Sequence, residues 1–272
     1  MPAPNQITPL QLSRLIGTPE CPVLVDVRID EDYQEDPYLI PGSFRHSYLD
    51  IDGLAAKIGG QKCVVICQKG KKLSEGVSAW LRHEGLDAEV LQGGVFGWRD
   101  ANLPRLDCKH LPNPDAQGRT VWVTRLRPKV DRIACPWLIR RFIDPYAVFL
   151  FTAKQEVPAV VERFDATPFD LEDVFWSHRG EKCTFDTMVE EFGLTFEPLL
   201  HLARVVRGAD TERLDLEPQC SGLLAASLGL SRMYRDDLAL LDAAMPLYDA
   251  FYRWSRDARE ETHDWPADRG TK

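Results

Sequence analysis

Apolar and polar positions follow two different rhythms along this chain. In the first third, short apolar runs recur: Val23-Leu24-Val25, Val64-Val65-Ile66 and Ala88-Glu89-Val90-Leu91. Each ends in charge or in glycine, and amphipathic stretches lie between them. Strands alternating with helices predict a mainly parallel sheet flanked by helices, with its functional loops at the carboxyl ends of the strands. Residues 108–118 then read as a linker, rich in proline and glycine and poor in apolar content. Beyond it, runs at 120–124 and 147–151 predict two strands around a helical stretch, Ile133 to Ile143, that stops before Asp144-Pro145. From Thr184 the spacing is helical, with helices expected at 184–192, 196–208, 219–229 and 234–255. Pro246 predicts a kink or break in the last of these, and the tail 259–272 is polar and expected to fray. The pattern thus divides into an α/β domain over 1–107, the linker, and a mainly helical α+β domain over 119–258.

Size and composition agree with two cores. A chain of 272 residues accommodates two domains of ordinary size, and 44% hydrophobic with 28% charged residues describes a soluble globular protein. No apolar stretch reaches membrane-spanning length, and the start Met1-Pro2-Ala3-Pro4-Asn5-Gln6 is unlike a secretory signal. Seven cysteines, an odd number without regular pairing, fit a reducing cytoplasm. A net charge of −9 argues against a dominant nucleic-acid surface. Arg125, Arg127, Lys129, Arg132, Arg140 and Arg141 crowd together all the same, as a salt-bridged face, an anion site or a local nucleic-acid patch.

The richest chemistry lies at Cys67-Gln68-Lys69-Gly70-Lys71-Lys72. A buried strand delivers Cys67 into a glycine- and lysine-rich turn ahead of a helix, where backbone amides and positive charge favour an anion and a thiolate. The plainer alternative is a small buried hydrophobe, which is the natural reading of Cys63. In the second domain, His178, Glu181, Cys183 and Asp186 gather near a helix start, Asp186 and Glu190 share a helix face, and His201 opens the next helix. His178, Asp186, Glu190 and His201 are candidate ligands for Zn²⁺ or another transition metal, with structural polar roles as the alternative.

Two resemblances sharpen this picture. Leu24-Val25-Asp26-Val27-Arg28, Ile40-Pro41-Gly42-Ser43, the Cys67 loop, and Leu91-Gln92-Gly93-Gly94 through Trp98 and Pro104 make residues 8 to 106 resemble a single rhodanese-type domain. That resemblance implies a rhodanese-like parallel sheet and a persulfide on Cys67 stabilised by residues 68–72, with Asp26 and Arg28 shaping the wall. Lys72 stands where the family usually has arginine, which keeps the charge but loses the rigid donor fork. Asp131 through Asp144, Arg163-Phe164-Asp165, Cys183 through Met188, Ala203 through Asp210 and Gly229 through Asp237 resemble the C-terminal domain of the chromate-resistance regulatory proteins. Some of these carry a winged-helix-like DNA-binding half in front, where this chain has the rhodanese-type domain. Together the resemblances imply a cytoplasmic, thiol-dependent sulfurtransferase linked to chromate or oxyanion stress. Cys67, Lys72, Asp26 and Arg28 would form its catalytic set, taking sulfur from an anionic donor and passing it to a thiol acceptor. A non-catalytic chromate-responsive regulator and a metal- or thiol-dependent oxyanion reductase are the competing readings.

Overall fold

The computed structural model describes residues 5–261. In the first half the elements run β1 (Gln6–Ile7), α1 (Pro9–Leu15), β2 (Val23–Asp26), α2 (Asp30–Glu35), β3 (Tyr38–Leu39), β4 (Ser43–Arg45) and α3 (Ile51–Ile58). They continue with β5 (Cys63–Ile66), α4 (Lys72–His83), β6 (Ala88–Leu91), α5 (Gly94–Asp100) and β7 (Leu106–Asp107). Five strands form one all-parallel sheet in the order β1-β6-β5-β2-β4, and β3 pairs antiparallel with β7. Both faces of β5 are covered, which is why its four residues form an unbroken apolar run. Val25, Val27, Cys63, Val65 and Cys67 face one core, and Leu24, Val64 and Ile66 face another.

The second half holds β8 (Val121–Arg125), α6 (Asp131–Leu138), β9 (Val148–Thr152), α7 (Val157–Phe164) and β10 (Thr167–Pro168). Helices α8 (Thr184–Glu191), α9 (Glu197–Asp210), α10 (Cys220–Met233) and α11 (Asp237–Asp257) follow. Its three strands are parallel in the order β10-β8-β9. The expected helix from Ile133 to Ile143 is α6 followed by a wider π turn, Ile139–Ile143. Pro246 does not break α11, which continues through it. Of the polar tail, residues 262–272 lie outside the described residues. Among the described residues no helix is long and apolar enough to cross a membrane.

The two halves share apolar contact. The core that contains Leu12, Leu24 and Ile66 runs on without interruption into Trp122, Trp137, Phe142, Phe192, Tyr248 and Tyr252. Backbone bonds reinforce it: Gly42 N donates to Phe142 O at 2.6 Å and Asp107 N to Phe192 O at 2.9 Å.

Candidate functional site

Strand β5 carries Cys67 to the carboxyl edge of the sheet, and the loop after it is pressed onto the turn between β6 and α5. Gly70 adopts φ +65°, and a Cβ there would lie 2.4 Å from Leu91 O. Gly94 adopts φ +59°, and its Cβ would lie 2.1 Å from Cys67 O. Only glycine satisfies both the left-handed conformation and the close approach. The clamp is closed by Val95 N donating to Cys67 O at 3.0 Å and Phe96 N to Gln68 O at 3.1 Å.

Cys67 is 5% exposed. Its polar neighbours are Ser74 Oγ at 3.1 Å and Lys71 O at 3.7 Å, and Ser74 Oγ in turn donates to Lys71 O at 3.0 Å. The thiol hydrogen therefore points at oxygen lone pairs. Lys69, Lys71 and Lys72 are exposed around the loop, while Gln68 donates to Glu35 at 2.7 Å. Cys63 is different: burial pushes its thiol up to about 11, as befits a core cysteine.

Asp26 and Arg28 are not beside Cys67. Asp26 pairs in register with Ile66, on the sheet face opposite the one that carries Cys67. Arg28 Nε and Nη2 donate to Asp26 Oδ2 at 2.8 and 2.6 Å. Its remaining donors reach Asp36 O at 2.9 Å and Tyr38 O at 2.7 Å. With side-chain exposures of 0% and 1%, this is a buried pair that ties β2 to the α2–β3 connection, not a wall of the thiol site.

In the second half the polar convergence is also other than the spacing suggests. Among the described residues, His178 is the one expected metal ligand that falls in a group of three potential ligands, with Asp131 and Asp170, and Asp210 stands beside it. They come from the start of α6, the loop after β10 and the end of α9. His178 Nε2 lies 3.5 Å from Asp131 Oδ2, 3.4 Å from Asp170 Oδ1 and 3.3 Å from Asp210 Oδ2. The carboxylates of Asp131, Asp170 and Asp210 around Nε2 raise the imidazole pKa to about 12. Burial raises Asp131 to about 6. At Asp170 burial is outweighed by His178 and by Arg132, so its carboxyl is lowered. Asp131 and Asp210 stand within the stretches that carry the family resemblance, whereas Asp170 gave no local signal.

The other three expected ligands are engaged elsewhere. Asp186 reaches back to Cys183 N at 3.0 Å and caps α8. Glu190 pairs with Lys182 at the surface. His201 is buried, with Nδ1 2.9 Å from Ser255 Oγ and its ring against Trp254.

Burial, with help from the Arg259 charge, holds His201 below the usual imidazole range. A depressed folded-state pKa gives stability that is present above the unfolded value near 6.5 and is lost as pH falls through the folded value. His201→Gln should therefore flatten the fall in melting temperature between about pH 7.5 and about pH 5.5. Equal falls in variant and wild type would refute this account.

The basic cluster is largely internally paired. Arg125 and Arg132 meet Asp170, Arg140 meets Asp242, and Arg141 grips Asp249 with two donors. Arg127 donates to the carbonyls of Ser231 and Tyr234. Lys129 remains exposed. A salt-bridged face accounts for most of the cluster.

Comparison with known proteins places these sites in a family. Residues 8–101 match the Rhodanese-like domain, and residues 122–255 match the ChrB, C-terminal domain. Protein ChrB of Cupriavidus metallidurans is 34% identical over 247 residues, covering 84% of this chain and 74% of that one. The chain belongs to the ChrB family. It is a chromate-resistance-related protein that bears a rhodanese-like domain. The Cys67 loop falls within the rhodanese-like match, and all four residues of the His178 cluster fall within the ChrB C-terminal match. Solved structures similar to the chain include a thiosulfate sulfurtransferase from Pseudomonas aeruginosa, 22% identical over 39% of this chain and 20% of that one, with a TM-score of 0.33. A rhodanese-related protein from Thermoplasma volcanium is 19% identical over 38% of this chain and 97% of that one, also with a TM-score of 0.33.

Proposed function

We propose that this ChrB-family chain is a cytoplasmic sulfur-carrying protein of the chromate response, with Cys67 as its catalytic thiol. One observation carries the reading: the strand β5 holds Cys67 in a glycine-clamped loop ahead of α4, with Ser74 Oγ 3.1 Å from Sγ. In the cycle, the Cys67 thiolate attacks the sulfane sulfur of thiosulfate. A Cys67 S–S bond forms, the bond from sulfane sulfur to sulfite sulfur breaks, and sulfite leaves with its electron pair. A thiol or cyanide acceptor then takes the outer sulfur and regenerates the thiolate. Gly70 permits the turn, and the exposed lysines 69, 71 and 72 draw in the anionic donor.

Ionisation changes the local hydrogen bonding. Loss of the thiol proton turns the Lys71 carbonyl into a repulsive neighbour, while the Ser74 hydroxyl is free to rotate and donate to the thiolate. Ser74 is thus a positioning residue for the reactive form. Chromate, a tetrahedral dianion, suits the same lysine-lined approach as the sulfur donor does. A second reading, a non-catalytic chromate-responsive regulator, is favoured by the 5% exposure of Cys67.

Thiocyanate release from thiosulfate and cyanide separates the two. The intact chain is expected to turn over and Cys67→Ser to lose all measurable release. Absence of turnover in the intact, reduced chain sinks the sulfurtransferase reading and leaves the regulator.

A further inference from the structure

We propose that Asp131, Asp170 and His178 bind a divalent first-row transition cation, with His178 Nε2 and one oxygen of each of the two carboxylates as ligands and Asp210 as a neighbouring acid. A ring nitrogen carries at most one hydrogen, so it satisfies at most one acceptor fully. Here three carboxylate oxygens surround Nε2 at 3.3, 3.4 and 3.5 Å. Each distance exceeds the usual range for an N–H···O hydrogen bond, about 2.7–3.2 Å. A nitrogen and two oxygens, each about 2.1 Å from an ion in tetrahedral arrangement, would instead stand about 3.4 Å apart. The ligand atoms of Asp131, Asp170 and His178 all lie within 4.8 Å of one another, whereas Asp210 falls outside that group.

A second observation concerns what holds the carboxylates. Asp131 Oδ1 accepts from Phe185 N at 3.0 Å and from Cys135 Sγ at 3.3 Å, and Oδ2 accepts from Thr184 N at 2.8 Å. Asp170 Oδ2 is taken by Arg132 Nε at 3.1 Å, while Thr184 Oγ1 steadies Oδ1 from 3.2 Å. Outer partners that fix both carboxylates, with Asp131 Oδ2 and Asp170 Oδ1 facing His178 Nε2 at 3.5 and 3.4 Å, are the supporting layer a metal site needs. Asp131 is 1% exposed, so its carboxylate is already committed to this orientation in the folded chain.

Charge and access agree. Three carboxylates packed together repel, and one divalent ion plus the Arg132 guanidinium balances them around a neutral imidazole. His178 and Asp210 are 40% and 20% exposed, which leaves an entry path and room for water as a further ligand. One imidazole and two carboxylates form an oxygen-rich set without thiolate, suited to Mn²⁺, Fe²⁺ or Zn²⁺ in preference to softer ions. The competing arrangement is an imidazolium held as the counter-ion of three aspartates.

The full chain, stripped with a chelator, should be titrated with Mn²⁺ while the free-ion EPR signal is followed, and then with Zn²⁺ as competitor. One equivalent of Mn²⁺ is expected to bind and to be displaced by Zn²⁺. His178→Ala and Asp170→Asn should each weaken it at least about 10-fold while keeping the wild-type circular dichroism. Glu181→Gln, at an 84% exposed side chain paired with Arg213, should bind as wild type does. Cys67→Ser should also bind normally, so the outcome stands apart from that of the sulfur-transfer assay. Failure of the wild type to bind either ion, or undiminished binding in both ligand variants, overturns the site in favour of the imidazolium arrangement.

Discussion

Asp26→Ala is expected to lower the free energy of unfolding by about 3–5 kcal/mol, the cost of leaving one member of a buried ion pair uncompensated. Arg28 would keep the carbonyls of Asp36 and Tyr38 and the face of the Tyr33 ring, with its charge still out of water. Asp26 Oδ1 also accepts from Arg28 N at 3.0 Å, so alanine releases the backbone at the end of β2 as well. Asp26→Asn keeps the shape and should cost less. The exposed Lys154–Glu172 pair marks the other extreme, where removal of a partner should leave the urea midpoint essentially unchanged. Urea denaturation followed by circular dichroism measures all three. Below its transition, Asp26→Ala should still let a thiol reagent modify Cys67 at the wild-type rate, because the pair lies across the sheet from the sulfur. A variant as stable as wild type, or a folded variant with altered Cys67 reactivity, would refute a purely structural role.

This pair shows where sequence reading succeeds and where it stops. Cys67 was legible because strand, cysteine and glycine turn are contiguous, so the order of residues specifies the local geometry. Asp26 and Arg28 also stand at a strand end, and the rhodanese-type resemblance implies a wall of the same site. Strand alternation sends Asp26 to the Ile66 side and Cys67 to the other. In the second half, local spacing grouped His178 with Asp186, Glu190 and His201, all within a short span. The actual companions of His178 begin at Asp131 and end at Asp210, brought together by α6, the loop after β10 and α9. Only tertiary packing makes that set. Asp186 carried the right chemistry, but its geometry is that of a helix cap, a use that is common for early-turn carboxylates.

Gly17→Ala is the second substitution expected to have a large effect, and it tests whether the two family-matched segments behave as one folding unit. Gly17 follows α1 with φ +80°, and a Cβ there would stand 2.3 Å from Phe142 Cζ and 2.7 Å from Tyr252 Cε1. Both rings belong to the second half, are buried, and pack edge to face with centroids 5.3 Å apart. Neither has room to retreat without disturbing the aromatic cluster around Trp137. Overpacking and left-handed strain together should cost roughly 2–5 kcal/mol. Gly60→Ala separates the two effects, since Gly60 shares φ +80° but a Cβ there meets nothing within 4 Å. It should show the strain alone, roughly 1–2 kcal/mol. Amide hydrogen exchange resolved by segment is the decisive readout. In the wild type, residues of α1 and of α11 should lose protection in one cooperative step, joined by the common core and by Arg256 donating to Arg14 O at 2.9 Å. In Gly17→Ala the two segments should open at different denaturant concentrations. If Gly17→Ala costs no more than Gly60→Ala, the contact between the halves is soft and each carries its own stability. If it costs more and uncouples them, the Cys67 and His178 sites stand on one continuous apolar core.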